Sequence, residues 1–160
     1  MTETSGVICM AQKADLPTHM GYAGRALPYG DVKVMKSETE EAAEGEVGEI
    51  WIRGAAVTPG YWNRPDATEE AFVEDWLKSG DIGRRDETGR LSVEDRIKDM
   101  YISGGENVYP AEVESVLMAH PDIREVAVIG VADDKWGEVG CAVIASISGD
   151  PISLEAAQAQ

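Results

Sequence analysis

The segment from Asp95 to Glu114 constrains the fold more than any other part of the chain. It opens with a short charged segment, Asp95 to Lys98, that connects two apolar segments. The sequence Ser103-Gly104-Gly105-Glu106-Asn107 then predicts a loop, because paired glycines reach positive φ without a Cβ clash. Pro110 suits the first turn of a helix, where its missing N–H is not needed. A charged connecting segment, a glycine loop and a helix are therefore expected in this order.

Apolar patterns lie on both sides of the predicted loop. Met100 to Ile102 predicts a brief strand before it. After it, Val113, Val116 and Leu117 recur at i, i+3 and i+4, which predicts one apolar stripe along a helix. Pro121 is expected to close that helix, since proline cannot continue it.

The residues before Asp95 predict a β-rich region divided by turns. Val32 to Val34 alternates apolar and polar side chains, and Ile50 to Gly54 reads as a strand that ends at a glycine. Asp86 to Gly89 predicts a hairpin turn, and Arg90 to Glu94 is its expected return strand.

One short helix is expected within this β-rich region, from Ala67 to Phe72. Asp66 lies directly before it and Glu69 follows three residues later, a pattern typical of side-chain capping at a helix N-terminus.

The residues after the second helix predict a strand pair. Val126 to Val131 is apolar on both faces, which is typical of a central strand covered on two sides. Cys141 to Ile147 is its expected partner, reached through a loop at Asp133 to Glu138. Ala156 to Gln160 has no pattern and is expected to be a frayed end. An α+β fold follows.

Composition narrows the function classes. The 160 residues are 43% hydrophobic, which is typical of a globular chain, and carry a formal net charge of −16. Such an acidic chain is not expected to bind nucleic acid or an anionic membrane. The two cysteines have no metal-ligand spacing, and no apolar run approaches the ~18 residues of a membrane span. A cytoplasmic protein is expected, with its oligomeric state left open.

One polar residue, Asp81, is a candidate for chemistry on pattern alone, whereas Met1-Thr2-Glu3 taken by itself is an ordinary start of a chain. Asp81 follows Gly80 and precedes Gly83, where a ligand could approach the backbone closely. The glycines alone support a turn aspartate equally well.

The whole sequence resembles the adenylate-forming enzymes, which include acyl-CoA synthetases, luciferases and adenylation domains of peptide synthetases. The resemblance is carried by Met-Thr-Glu at the start, Ser-Gly-Asp-Ile-Gly around Asp81, and the long run Lys-Asp-Met-Tyr-Ile-Ser-Gly-Gly-Glu-Asn-Val-Tyr-Pro-Ala-Glu-Val-Glu. The amino-acid sequence of that run is most similar to that of the fatty-acyl-CoA ligases. It implies that residues 1–95 are the end of a large domain with a barrel-like β part, 96–98 a hinge, and 99–160 the start of a small, incomplete α+β domain.

The resemblance implies roles for individual residues in binding ATP or AMP. Thr2 would contact the α-phosphate and Glu3 would hold Mg²⁺. Asp81 would accept hydrogen bonds from both ribose hydroxyls, a task that suits an acceptor-only carboxylate. Arg96 would be a second ribose or phosphate contact.

The same resemblance implies roles in the transfer to CoA. Lys98 would be the hinge about which the small domain rotates between two half-reactions, although a surface ion pair is the alternative for a lysine of this kind. Gly104, Gly105 and Glu106 would line the pantetheine channel, where the absence of side chains lets the thiol arm pass close to the backbone.

The function implied is ATP-dependent ligation of a carboxylic acid, in particular a fatty acid, to CoA through an acyl-adenylate. An acidic interaction module without catalysis and an aryl or amino-acid adenylating enzyme are the alternatives. The family's phosphate loop is expected upstream of Met1, and its carboxylate-binding lysine beyond Gln160. An internal or C-terminal fragment of a ligase, inactive by itself, is therefore expected.

Overall fold

The computed structural model describes residues 1–15, 17–149 and 152, and the expected frayed end at Ala156 to Gln160 lies outside this range. The described chain forms two compact units, the second of which begins at Glu94. Antiparallel sheets and two short helices make up these units, which confirms the α+β class. The assignment of residues 96–98 as a hinge between domains stays a prediction.

The larger sheet has eight strands. They are β1 (Cys9–Met10), β2 (Tyr22–Ala26), β3 (Gly30–Ser37), β4 (Glu40–Glu41), β5 (Val47–Gly54), β6 (Phe72–Val73), β7 (Trp76–Arg85) and β8 (Leu91–Arg96). Their order is β1-β2-β8-β7-β5-β3-β4, with β6 paired to β7. The described strands β1 and β4 lie at opposite ends of this path, so the barrel-like sheet is open and not a closed barrel.

Alternating side chains of β3 and β5 supply the core of this first unit. Val34, Ile50 and Ile52 are at most 3% exposed, and Leu91 packs in the same cluster. Trp51 points to the opposite face of β5 and is only 2% exposed, with the Lys33 ammonium 5.0 Å from its ring. The expected strands at residues 32–34 and 50–54 are therefore present and central.

Helix α1 (Pro65–Ala71) begins earlier than expected and has no capping box. Asp66 is the second residue of the helix, and its carboxylate binds the Arg64 guanidinium at 2.8 Å. Thr68 takes over the anchoring role: its hydroxyl donates to the Arg64 carbonyl at 2.8 Å and accepts from the Tyr61 N–H at 2.9 Å. Proline at the first helical position made side-chain capping by Asp66 impossible, because that residue is already inside the helix.

A buried ion pair fixes the loop before β2. Asp15 is 5% exposed, and its Oδ1 accepts from the Arg90 Nε at 3.0 Å and Nη2 at 2.6 Å. The hydrogen bond from Arg90, together with its positive charge, lowers the pKa of Asp15 against the effect of burial. Removing either partner would leave the other charge buried, so this pair fixes Asp15 against Arg90.

The second unit is built on a four-stranded sheet in the order β10-β9-β12-β11. The elements are β9 (Tyr101–Ser103), β10 (Glu106–Val108), α2 (Pro110–Leu117), β11 (Ile123–Asp133) and β12 (Gly137–Ser146). Helix α2 packs on one face of the sheet, where Tyr101, Leu117, Ile123 and Val128 form the core. Neither described helix has the length and apolar character that a membrane-spanning helix needs.

Three expectations about this unit are wrong in detail. Helix α2 ends at Leu117, well before Pro121, and Val116 is 49% exposed, so the apolar stripe consists of Val113 and Leu117 alone. The segment at 103–107 is not a loop before a helix, because β10 begins at Glu106 and makes a hairpin with β9. Strand β11 is an edge strand, and Ile129 on its second face is 54% exposed.

The Tyr101 ring lies against two glycines that face each other across β11 and β12. Gly130 and Gly140 are paired in register, and a Cβ atom built on Gly130 would lie 2.5 Å from the Tyr101 Cβ. A Cβ atom on Gly140 would collide with the Tyr101 hydroxyl oxygen. The glycines therefore provide the space that seats β9, and with it the hairpin it carries, on the rest of the sheet.

We expect Gly140→Ala to destabilise the second unit by about 1–3 kcal/mol, the usual cost of forcing an extra methyl group into a packed site. Chemical denaturation followed by circular dichroism measures the effect. The same substitution in a Tyr101→Phe background should cost markedly less, because the colliding hydroxyl is gone. Equal costs in the two backgrounds would show that the ring does not occupy this space.

Candidate nucleotide and thiol sites

Thr2 and Glu3 lie in a single 3₁₀ turn, Thr2–Thr4, that is anchored to the segment before α1. The Glu3 carbonyl accepts from the Thr58 N–H at 2.7 Å, and the Tyr61 hydroxyl donates to the Glu3 Oε1 at 3.2 Å. Burial raises the pKa of Tyr61, and the Glu3 charge adds to this, so Tyr61 remains a neutral donor. Thr2 is exposed.

Tyr61 is a partner of Glu3 that sequence reasoning did not find. The sequence Gly60-Tyr61-Trp62 was visible as part of the resemblance, but nothing in it indicates a contact with a residue 58 positions earlier. The second carboxylate oxygen of Glu3 accepts no hydrogen bond from the described residues, which leaves it available to a ligand.

Asp81 lies on a bulge in β7. Glu49 pairs with Ile82 and Trp51 pairs with Lys78, so one residue of β5 opposes three of β7 between these points. The three residues of β7 are Ser79, Gly80 and Asp81. A bulge of this kind turns a side chain away from the regular alternation of the strand, and bulges are common beside active sites.

The Glu49 side chain holds this bulge in place. Its Oε1 accepts from the Gly80 N–H at 3.1 Å, and its Oε2 accepts from the Trp51 indole N–H at 2.8 Å. Within the bulge, the Asp81 N–H donates to the Ser79 hydroxyl at 3.0 Å. The backbone N–H groups that the bulge removes from the ladder are therefore paired with side chains.

The two glycines beside Asp81 have different physical roles. Gly80 has φ of +71° and a Cβ there would meet nothing, so glycine is needed for its backbone conformation. Gly83 is needed for packing, because a Cβ would collide with the Ser92 carbonyl of β8. The close approach of a ligand beside Gly80 therefore stays a prediction, and the space beside Gly83 is filled by β8.

Arg96 and Lys98 lie where β8 ends and the chain turns toward β9. The Arg96 carbonyl accepts from the N–H groups of Asp99 at 3.1 Å and Met100 at 3.2 Å. Lys98 is exposed in this turn, and within the described part of the chain it makes no ion pair. The surface ion pair that was the alternative for Lys98 thus finds no support among these residues.

Gly104 and Gly105 are the two central residues of the β9–β10 hairpin. Their φ values are +60° and +90°, and they connect the paired residues Ser103 and Glu106. Positive φ at both central residues is the requirement of the two-residue turn that best fits twisted strands. Glu106 is exposed at the start of β10.

Trp136 contacts this hairpin and was not identified from the sequence. The Gly104 N–H donates to the Trp136 carbonyl at 2.8 Å, and a Cβ on Gly104 would lie 2.8 Å from the indole Cε3. The Lys135 ammonium lies 4.4 Å from the indole centroid. An aromatic residue after Asp-Asp-Lys in a loop was the only available signal, and it does not by itself indicate a site.

The structure thus groups the candidate residues by unit. Thr2, Glu3 and Asp81 belong to the first, and Arg96, Lys98 and the Gly104–Glu106 turn to the second. No cluster of three or more His, Cys, Asp or Glu side chains in the described residues is placed to hold a metal ion. Glu3 fits Mg²⁺ only as a single carboxylate ligand, a role this ion commonly accepts when phosphate oxygens and water complete its shell.

Two family models match the chain. The model described as AMP-binding enzyme covers residues 1–62, and the model described as AMP-binding enzyme C-terminal domain covers residues 112–158.

Curated relatives match almost the whole chain but extend well beyond it. A long-chain fatty-acid–CoA ligase, FadD13 of Mycobacterium tuberculosis, is 46% identical over 90% of this chain and 28% of its own length. A 2-succinylbenzoate–CoA ligase of Bacillus cereus is 46% identical, and a feruloyl-CoA synthase of an Amycolatopsis species is 43% identical. They are matched over 90% and 95% of this chain and over 30% and 31% of their own lengths. The chain thus spans less than a third of these relatives.

Solved structures agree in fold. The o-succinylbenzoate–CoA synthetase of Bacillus subtilis in complex with its acyl-adenylate intermediate is 41% identical, with a TM-score of 0.90 over 97% of this chain and 31% of that chain. The same enzyme with ATP and magnesium ion is 40% identical, with a TM-score of 0.87 over 96% of this chain and 31% of that chain. The two family models, the relatives and the fold agree with the resemblance, and the chain belongs to the AMP-binding enzyme superfamily.

Proposed function

We propose that the protein containing this chain is an ATP-dependent acid–thiol ligase. A carboxylate oxygen of the acid attacks the α-phosphorus of ATP, and the bond to pyrophosphate breaks to leave an acyl-adenylate. The CoA sulfur then attacks the acyl carbon, the thiol proton is lost to solvent, and AMP leaves. The observation that carries this proposal is the bulge at Ser79–Asp81, a costly local irregularity for which the hydrogen bonds to Glu49 are a dedicated support.

Asp81 is the proposed ribose ligand. Its backbone is fixed by the Ser79 hydroxyl on one side and by the Gly80–Glu49 hydrogen bond on the other. A carboxylate held in this way is preorganised to accept from two adjacent hydroxyl groups, so little ordering cost remains at binding. Arg96 is the proposed second contact to the ribose or a phosphate, a task for which guanidinium geometry is well suited.

Glu3 and Thr2 are the proposed contacts to the metal–phosphate part of ATP. Glu3 has one carboxylate oxygen held by Tyr61 and one available, which would bind Mg²⁺ directly. Mg²⁺ would neutralise charge on the phosphates when bound. The exposed Thr2 hydroxyl would donate to an α-phosphate oxygen.

The proposed thiol channel uses the β9–β10 hairpin. Gly104 and Gly105 present backbone without side chains, and the exposed Trp136 ring beside Gly104 supplies an apolar wall. Glu106 lies at the rim. Rotation about Lys98, the proposed hinge, would bring this hairpin to the acyl-adenylate for the second half-reaction.

The proposed acid is a fatty acid. The sequence of the Gly-Gly-Glu-Asn segment and the similarity to FadD13 support it. The feruloyl-CoA and 2-succinylbenzoate–CoA relatives make an aryl acid the second candidate. We expect the full-length gene product to show a kcat/KM for hexadecanoate at least about tenfold above those for ferulate and 2-succinylbenzoate, a difference of about 1.4 kcal/mol. Formation of acyl-CoA measures this. A preference for ferulate would support the aryl candidate, and turnover of none of the acids would contradict the ligase itself.

We expect Asp81→Ala in the full-length gene product to lower ATP use about 100-fold or more, because two charge-assisted hydrogen bonds of about 1.5–3 kcal/mol each are lost. Pyrophosphate release in the absence of CoA measures it. Glu87→Gln, an exposed acid in the turn after β7, is a matched control and should change the rate less than twofold. Adenylation by Asp81→Ala within a few-fold of the unaltered protein would make Asp81 a turn residue only.

A further inference from the structure

The Tyr61 hydroxyl donates to one of the two oxygens of the Glu3 carboxylate. The distance to the Glu3 Oε1 is 3.2 Å, and the two residues are 58 positions apart in the chain. The Glu3 backbone is held by the same segment, because its carbonyl accepts from the Thr58 N–H at 2.7 Å. Residues 58–61, which we call the clamp, therefore fix both the backbone and the carboxylate of Glu3.

The clamp is itself anchored on helix α1. The Thr68 hydroxyl accepts from the Tyr61 N–H at 2.9 Å and donates to the Arg64 carbonyl at 2.8 Å. Gly60 lies directly against Thr68, since a Cβ atom built on Gly60 would be 2.7 Å from the Thr68 Cγ2. These contacts fix the backbone of Tyr61, so its hydroxyl is presented to Glu3 before any ligand binds.

The turn that carries Glu3 is also fixed from within the first unit. Thr4, the next residue, is 1% exposed. Its hydroxyl lies 3.1 Å from the Met1 carbonyl oxygen and 3.0 Å from the Gly6 carbonyl oxygen. Glu3 is thus held between a buried neighbour and the clamp, and contacts within the protein set its position.

The hydrogen bond from Tyr61 makes the two oxygens of Glu3 unequal as ligands for a cation. A cation that took both oxygens would lie close to the donated proton of Tyr61, which carries partial positive charge. Mg²⁺ does not need both, because it fills a near-octahedral shell at about 2.0–2.1 Å with one or two carboxylates, phosphate oxygens and water. Ca²⁺ is larger, binds oxygen at about 2.3–2.6 Å, and readily takes both oxygens of one carboxylate.

We propose that Tyr61 is a positioning residue that sets the metal specificity, because its hydroxyl keeps Glu3 a one-oxygen ligand and so favours Mg²⁺ over Ca²⁺. This inference rests on the proposed function and on Glu3 as its metal ligand. Tyr61 acts only through Glu3. Without the hydroxyl, the carboxylate is less well oriented for Mg²⁺ and offers both oxygens to a larger ion.

Binding of ATP to the full-length gene product tests this inference, in the absence of the acid so that no adenylate forms. Isothermal titration with Mg²⁺ or Ca²⁺ as the only divalent cation gives a Kd for each metal–ATP complex. We expect the Mg²⁺ complex to bind the unaltered protein more tightly. Tyr61→Phe should raise the Kd of the Mg²⁺ complex about tenfold, a usual effect of removing a hydrogen bond from a metal ligand, and that of the Ca²⁺ complex less than about threefold.

Tyr29→Phe is the matched control. Tyr29 lies in the same unit, is 50% exposed against 40% for Tyr61, and donates its hydroxyl to the Val7 carbonyl at 3.0 Å. Removal of this hydroxyl should leave both Kd values nearly unchanged. An effect equal to that of Tyr61→Phe would assign the result to a general loss of stability and overturn the inference.

A double variant separates an action through Glu3 from a structural one. Glu3→Ala removes the group on which Tyr61 acts, so Tyr61→Phe in that background should leave the ratio of the two Kd values nearly unchanged. A further large change there overturns the inference, and so does equal weakening of both complexes, or of neither, by Tyr61→Phe alone. An unaltered protein that binds neither metal–ATP complex refutes the proposed function, and the inference falls with it.

Discussion

The hydrogen bonds that Glu49 accepts from the Gly80 N–H and the Trp51 indole are the interaction on which the first unit's candidate site depends. A regular β7 would keep Asp81 in the alternation of the strand, paired across to β5. The bulge removes Asp81 from that pattern and leaves the Gly80 N–H outside the ladder. The Glu49 carboxylate accepts a hydrogen bond from that N–H. Trp51 anchors Glu49 in turn, because its ring is buried in the middle of the sheet. The position of the Asp81 bulge is thus set by contacts that lead through Glu49 to the buried Trp51 ring.

The second unit uses backbone and not side chains to present its candidate site. The Gly104–Gly105 turn offers bare backbone, and Tyr101 on the same hairpin is fixed by the two glycines beneath its ring. The Glu138 carboxylate adds a hydrogen bond to the Ile102 N–H at 3.0 Å. A rigid hairpin of this kind suits a channel wall, since its position is set by packing before any ligand binds.

Local patterns predicted six of the twelve described strands, β3, β5, β8, β9, β11 and β12, and tertiary contacts explain where prediction failed. The Asp86–Gly89 turn and the β11–β12 pair were predictable because turn residues and alternation are local signals. Asp66 was misread as a cap because the helix starts at Pro65, two residues earlier than expected. Tyr61 and Trp136 act through contacts with distant positions, and no spacing in the sequence encodes such contacts. Asp81 could be nominated from its glycines, but its bulge could not.

The central claim is that the carboxylic acid is activated as an acyl-adenylate, and isotope transfer tests it most directly. The full-length gene product would be incubated with ATP, CoA and hexadecanoate carrying ¹⁸O in both carboxylate oxygens, and the nucleotide product analysed by mass spectrometry. Attack of the carboxylate on the α-phosphorus predicts AMP that contains one ¹⁸O atom. Label in inorganic phosphate with ADP as the nucleotide product, or unlabelled AMP, would contradict the account.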